Sequence, residues 1–419
     1  MHPDPSFPAL HGRPDHGWVN DPNGLAVLDG RYHVFFQYNP DRPVHERIHW
    51  GHASSDDLLR WREEPIALAP RDGAPDERGC WSGCLVDDAG TPTVLYTAVS
   101  AAGPGEAGVV LATSDRAAIE WQPRKTIIPH TDEPHDIQVR DPYVFVFDGR
   151  RYAVQGGGAV GEMPRIVLYA CEDLREWTLL GNLLTPDDPA AAAYGEADVW
   201  ECPNLFEMDG RWVLIISPLT FRESGAQHGE VFALIGQLEP DRDSLSFRPE
   251  ATSRLDDGVS FYAPQVLVDG ERRLIWGWTR DEGRSAAQIA QAGWTGALTL
   301  PRELRLEGDA LRSAPARELE GLRRERVHPV DGVIDIGAFE IEGTDAGVRL
   351  ILEGERGSET IVDVDGSSST DIRILVDGSV IEVFVEGTVA RTLRAYPDTG
   401  SRWRIRGGAG LRLWRLGLE

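Results

Sequence analysis

Asp-Gly turns return along this chain at a fixed interval, and a fixed interval marks a repeated folding unit. Asp29-Gly30, Asp148-Gly149, Asp209-Gly210 and Asp269-Gly270 are separated by 119, 61 and 60 residues. Asp88-Ala89-Gly90 divides the first gap into 59 and 60. Each turn is followed by a strand-like run: RYHVFF, TPTVLYTAV, RRYAVQGG, RWVLIIS and RRLIWGW. A second series keeps phase with the first and ends on an aromatic residue: DLLRW at 57–61, AIEW at 118–121, DLREW at 173–177 and SLSF at 244–247. Units of this length hold about four short strands, and no such unit can bury its faces alone. The pattern predicts a five-bladed β-propeller, because blades of the WD type are shorter.

After LPREL at 300–304 the period ends. Residues 321–419 alternate as VRLILEG, TIVDVDG, DIRILVDG and SVIEVFVEG, with turns every 8–12 residues, which predicts a β-sandwich. The expected division is a propeller over 1–304, a linker over 305–320 and a sandwich over 321–419.

Composition narrows the partners. A formal charge of −26 argues against nucleic acid and anionic membrane surfaces. Lys125 is the only lysine, so Schiff-base chemistry has almost nothing to rest on. No signal segment or membrane-length apolar run is visible, and four cysteines suit reduced thiols, so a cytoplasmic monomer or homodimer is expected. The 13 Trp suit flat sugar faces, although core packing accounts for most of them; Trp81 and Trp294 are candidate contacts.

Polar motifs keep the same period. Asp21 in NDPNG, Ser82 in WSGC, Asp141 in RDPY, Glu201 in WECPN and Tyr262 in FYAPQ are spaced 61, 59, 60 and 61 residues apart. Equivalent positions in successive blades form a ring about the axis, so Asp21, Asp141 and Glu201 should face one funnel, lined by Trp18, Trp50, Trp81 and Trp200. Proline after Asp21 and Asp141 favours extended backbone there. Carboxylates in an aromatic cleft suggest glycoside hydrolysis, one attacking or activating water and one protonating the leaving oxygen. Glu201, beside Trp200 and Cys202, sits in an apolar setting that suits a proton donor. Arg140 should keep Asp141 ionised if the two meet, and Asn20 and Asn23 are potential donors to Asp21.

These motifs resemble glycoside hydrolase family thirty-two, the invertases and fructan hydrolases. GWVNDPNG is similar to its sucrose box, and RDPY and WECPN to its Arg-Asp-Pro and Glu-Cys motifs. FFQYNP, HWGHASSDDLLRW, FYAPQ, LTLPREL and IEVFVEG extend the likeness over nearly the whole chain. The resemblance implies a propeller plus sandwich, with Asp21 as nucleophile, Glu201 as acid/base and Asp141 as transition-state stabiliser. It also implies that Asn20, Gln37, Trp50, Ser82 and Arg140 bind the fructosyl ring. Sugar transfer by two carboxylates needs no cation, so no cofactor or metal is expected. Val19 and Ser260 depart from the common pattern, and Ser260 bears on the leaving-group side.

Sucrose or short fructo-oligosaccharides are the expected substrates; levan, inulin, phosphorylated sucrose and fructosyl transfer remain open. Three rival readings stand beside this one. HERIH at 45–49 matches a zinc-protease motif, but that motif requires a helix, and Pro40, Pro43 and the surrounding strands disfavour one. An inverting arabinanase-type propeller also carries three carboxylates. A non-catalytic sugar-binding propeller would have no need to keep the acid.

Overall fold

The computed structural model describes residues 2–418 apart from 123, 129–137, 345–346, 356, 367–370 and 409. Five antiparallel four-stranded blades surround a central channel. Their inner strands are Gly17–Leu28, Gly79–Asp88, Gln138–Phe147, Val199–Met208 and Phe261–Asp269. The turns that set the period join first to second strands. Asp29-Gly30, Ala89-Gly90, Asp148-Gly149 and Asp209-Gly210 all have positive φ, which two-residue hairpin loops of matching twist require. The aromatic-ended series closes third to fourth strands. Asp57 Oδ1 caps the amides of Leu59 and Arg60, Asp173 Oδ1 those of Arg175 and Glu176, and the indoles of Trp61 and Trp177 bond back to the carbonyls of Leu58 and Leu174.

Side-chain amides stitch the blades together around the channel. Asn23 Oδ1 accepts the Gly83 amide, and Asn204 bonds the Pro264 carbonyl and the Val266 amide. Gln265 closes the ring from blade 5 to blades 1 and 2, accepting from the Leu25 amide and donating to the Gly83 carbonyl. A parallel pairing of Gly17 and Trp18 with Trp294 and Thr295 reinforces that closure.

The expected linker is not one. Residues Arg302–Glu307 and Ala310–Pro315 form the two outer strands of blade 5, and Arg317–Leu322 is a short 3-10 turn leading to the next domain. Arg302–Glu307 must cover the outside of Arg272–Thr279, a need that the local pattern after LPREL does not reveal. The remaining chain forms a sandwich of a six-stranded and a four-stranded sheet. Phe339, Ile341, Ile374, Ile381 and Trp403 pack between them.

Candidate active site

All five inner strands carry a register shift at the same level, between Val19 and Pro22, Cys80 and Gly83, Arg140 and Tyr143, Glu201 and Asn204, and Tyr262 and Gln265. A bulge re-aims side chains; Asp21, Ser82 and Asp141 lie within theirs, whereas Glu201 and Tyr262 stand one position before theirs, paired with Ser217 and Trp278. Extended backbone before proline, expected at Asp21 and Asp141, fails at Asp141, and two residues of blades 4 and 5 share its departure. Asp141, Cys202 and Ala263 each precede a proline with φ of 59°, 48° and 43°. Backbone of this kind costs on the order of 1–3 kcal/mol and persists only where packing enforces it. The interblade bonds supply that enforcement.

The three carboxylates meet in one pocket of about 410 Å³. Asp21, 8 % exposed, accepts from Asn20 Nδ2 on Oδ1 at 3.0 Å, and from Ser82 Oγ at 2.6 Å and Gln37 Nε2 at 3.0 Å on Oδ2. The Trp18 indole donates to Asn20 Oδ1 at 2.7 Å, which fixes the amide so that its NH₂ faces Asp21. Cys202 joins two carboxylates: its amide donates to Asp141 Oδ2 at 2.9 Å, and its sulfur lies 3.5 Å from Asp141 and 3.6 Å from Asp21. Asp141 Oδ1 has no partner among the described residues, leaving it open to a sugar hydroxyl.

Arg140 differs from expectation. Its Nη1 pairs with Glu201 Oε1 at 2.9 Å, one blade onward, and its guanidinium lies 5.1 Å over the Trp81 ring. Successive side chains on a strand point to opposite sides, and the bulge sends Asp141 inward while Arg140 reaches across. Tyr262 Oη lies 2.9 Å from Glu201 Oε2 and 2.9 Å from the Pro218 carbonyl. One hydroxyl proton serves both, so Tyr262 donates to ionised Glu201 and turns to Pro218 when Glu201 is protonated.

Burial pushes the Asp21 carboxyl up from 3.8 to about 6, against the pull of Ser82 and with a further push from Asp141. Burial also raises Glu201, with Arg140 opposing and Asp141 and Asp21 adding to it. Asp141 is raised by burial too, and Arg140 only partly offsets this.

Asn20, Asp21, Gln37, Trp81, Arg140, Asp141, Glu201 and Tyr262 line the pocket, as does Trp18. Ser82 reaches it through Asp21. Four other expectations fail. Asn23 is fully buried as an interblade link. Trp50, on the third strand of blade 1, is buried and supports the pocket indirectly by donating to the Trp81 carbonyl at 3.0 Å. Trp200 points into the core and bonds the Tyr194 carbonyl. Trp294 is buried away from the pocket, its indole donating to Asp4 and its ring packed by Phe7, Arg13 and Arg284.

Sequence reasoning missed Gln138, Phe221, His228 and Trp278 on the pocket wall, and placed His45 only in the protease motif. Trp278 was within reach, because the Asp269-Gly270 hairpin pairs it with Tyr262. Phe221 and His228 come from the Arg211–Arg222/Gly225–His228 hairpin, which carries no periodic signal. HERIH forms bends leading into strand His49–Ser55, with no helix to align the two histidines.

Comparison with known proteins shows the family. Residues 11–315 match the model of the glycosyl hydrolases family 32 N-terminal domain, and residues 337–408 that of the family 32 C-terminal domain. The chain belongs to glycoside hydrolase family 32. It is a glycoside hydrolase of all-β propeller-plus-sandwich architecture. It is 32% identical to a sucrose-6-phosphate hydrolase of Klebsiella pneumoniae, over 94% of this chain and 89% of that one. It is also 32% identical to a raffinose invertase of Escherichia coli, over 94% and 90%. Among solved structures, a Bombyx mori family 32 β-fructofuranosidase superposes with a TM-score of 0.82 at 26% identity, covering 98% of this chain and 94% of that one. No helix of the described residues is long and apolar enough to cross a membrane.

Proposed function

We propose that this chain hydrolyses β-fructofuranosidic bonds of sucrose or short fructo-oligosaccharides by double displacement. The observation that carries the reading is the convergence of three carboxylates from three blades, tied together by Cys202 and Arg140, in one aromatic pocket. Asp21 attacks the anomeric carbon of the fructosyl group while Glu201 gives its proton to the departing oxygen; the glycosidic bond breaks and an ester to Asp21 forms. Glu201 then takes a proton from water, the resulting hydroxide displaces Asp21, and fructose leaves with retained configuration. Asp21 is suited to attack because its donors fix it and Oδ1 keeps only one of them. Glu201, its side chain 14 % exposed, reaches the pocket and is held protonated further up the pH scale than an ordinary glutamate. Asp141 accepts from ring hydroxyls, and Asn20, Gln37 and Arg140 orient the sugar.

The roles are separable by leaving group. General acid help is worth roughly 10²–10⁴-fold and matters for glucose but little for an aryl group that departs unprotonated. Glu201→Ala should be severely slow on sucrose, show a fast first turnover on an aryl fructoside, and yield a β-fructosyl azide when azide is added. Asp21→Ala should lose both substrates. An initially formed α-anomer, followed by NMR, would instead point to the inverting rival, and equal losses in both variants on both substrates would mean the acid is misassigned.

A further inference from the structure

The geometry points to a leaving-group site built for an uncharged sugar, so that this chain cleaves sucrose in preference to its 6-phosphate ester. The inference rests on the fructosidase reading above and adds the class of leaving group to it. Several curated relatives are named sucrose-6-phosphate hydrolases, so it sets this chain apart from what those names say of those proteins.

Charge on the described pocket wall is one-sided. Asp21, Asp141 and Glu201 supply three carboxyl groups, Glu201 being the protonated acid, against a single guanidinium, Arg140, which is already set against Glu201 and bonded to Gln138. His45 and His228 are the remaining basic groups there. His45 lies edge-on to Trp18 and tilted against Trp81, and His228 lies edge-on to Tyr262 and Trp278. Burial in the funnel lowers the pKa of both, and Arg140 and Arg280 push the same way, so both are neutral near pH 7. Phe221, Trp278, Leu219, Ala226 and Pro104, all uncharged, line the pocket as well.

Cations just outside the pocket are engaged or offset. Arg280 pairs with Glu282 at 2.8 Å and bonds the Val259 carbonyl. Arg47 pairs with Asp72 at 3.1 Å. Arg47 and Arg78 line an adjoining hollow that shares His45, Trp81 and Pro104 with the pocket, where Glu77 and Glu46, the latter paired with Arg42, stand beside them. The only lysine, Lys125, is exposed on the outer strand of blade 2.

A phosphate monoester carries roughly −1.5 to −2 charges near pH 7 and is held by Arg forks, Lys or convergent amides. Here it would enter a partly dehydrated site beside the Asp21 and Asp141 carboxylates and lose its water shell without a free cation on the described pocket wall to replace it. A glucosyl group carries no such charge and presents apolar C–H faces to aromatic walls.

The test compares kcat/KM for sucrose and sucrose 6-phosphate on the full chain, side by side. Sucrose should be favoured about ten-fold or more, equivalent to about 1.4 kcal/mol. A smaller ratio, or preference for the ester, overturns the inference and leaves the fructosidase reading intact. Fructose release from neither substrate, nor from an aryl fructoside, overturns that reading and this inference with it. Product inhibition supplies a measurement that needs no variant. Glucose should inhibit more strongly than glucose 6-phosphate, and the reverse order counts against the inference. Phe221→Arg adds a cation to the wall and should shift the substrate ratio toward the ester; an unchanged ratio in the folded variant overturns the electrostatic basis.

Discussion

Glu201 has two oxygens with different neighbours, and proton counting separates what each can accept. Oε1 faces a permanent donor, Arg140, so the acid proton belongs on Oε2, where Tyr262 can accept it by turning its own proton to the Pro218 carbonyl. Glutamine reproduces that arrangement, with its carbonyl to Arg140 and its NH₂ to Tyr262. Because burial raises the Glu201 pKa, its contribution to stability is fully present below the ordinary glutamate value and is lost as pH rises through the raised one. Glu201→Gln should therefore stabilise the protein by ~0.5–2 kcal/mol at pH 8 and by nothing at pH 4, while sucrose turnover falls by about 10²–10⁴-fold. Thermal unfolding at the two pH values checks this. A stability gain of equal size at both would mean that the carboxylate charge is not what the fold resists.

At the scale of strands, the site depends on how closely the second strand of blade 3 lies beside the inner strand of blade 4. A Cβ built on Gly156 would stand 1.9 Å from the Trp200 carbonyl oxygen and 3.2 Å from the Glu201 Cα. Backbone cannot yield as a side-chain tip would, so Gly156→Ala must shift the strand that carries Glu201. A displacement near 1 Å can cost about 10²-fold in rate. We expect such a loss with a fall in stability of about 2 kcal/mol or more. Gly161→Ala is the control: nothing lies within 4 Å of its Cβ, although its φ of 81° adds local strain. It should leave the rate nearly unchanged. Comparable activity losses in the two variants would show that general loop strain, and not the Gly156 contact, governs the site.

For the molecule as a whole, a buried charge network joins propeller to sandwich. Arg302, 1 % exposed, bonds Asp256 at 2.7 Å, Glu382 at 2.6 Å and Thr392 at 2.6 Å. His11 bridges Asp377 and Glu382, both at 2.9 Å. Burial alone would lower the His11 pKa, but its two carboxylate partners outweigh burial and raise it above 6.5. That stabilisation is fully present below 6.5 and is lost as pH rises through the raised value. Arg302→Ala, which strands two buried carboxylates, should cost about 3–5 kcal/mol. His11→Gln should cost less and flatten the decline in stability on the alkaline side. Denaturant titrations across pH measure both, and a wild-type-like pH slope in His11→Gln would remove His11 from the account.

The ring of carboxylates was legible in the chain because a propeller repeats one folding unit, so sequence phase becomes position about an axis. Asp21, Asp141 and Glu201 had to lie near one level once the period was known, Glu201 standing one position before its bulge, and the hairpin turns that set the period are local chemistry of Asp, Ala and Gly at positive φ. What a side chain meets across the channel is not local. Arg140 reaches Glu201 instead of Asp141, and Trp50, Trp200 and Trp294 turn into packing while Trp18 and Trp81 face the pocket. Bulge geometry and packing against other strands choose among those orientations, with partners as distant in sequence as Glu201 from Arg140 or Asp4 from Trp294. The outer strands of blade 5 escaped notice for the same reason. The sequence determined the number of blades and the level of the acids; packing between blades decided which neighbours tune them.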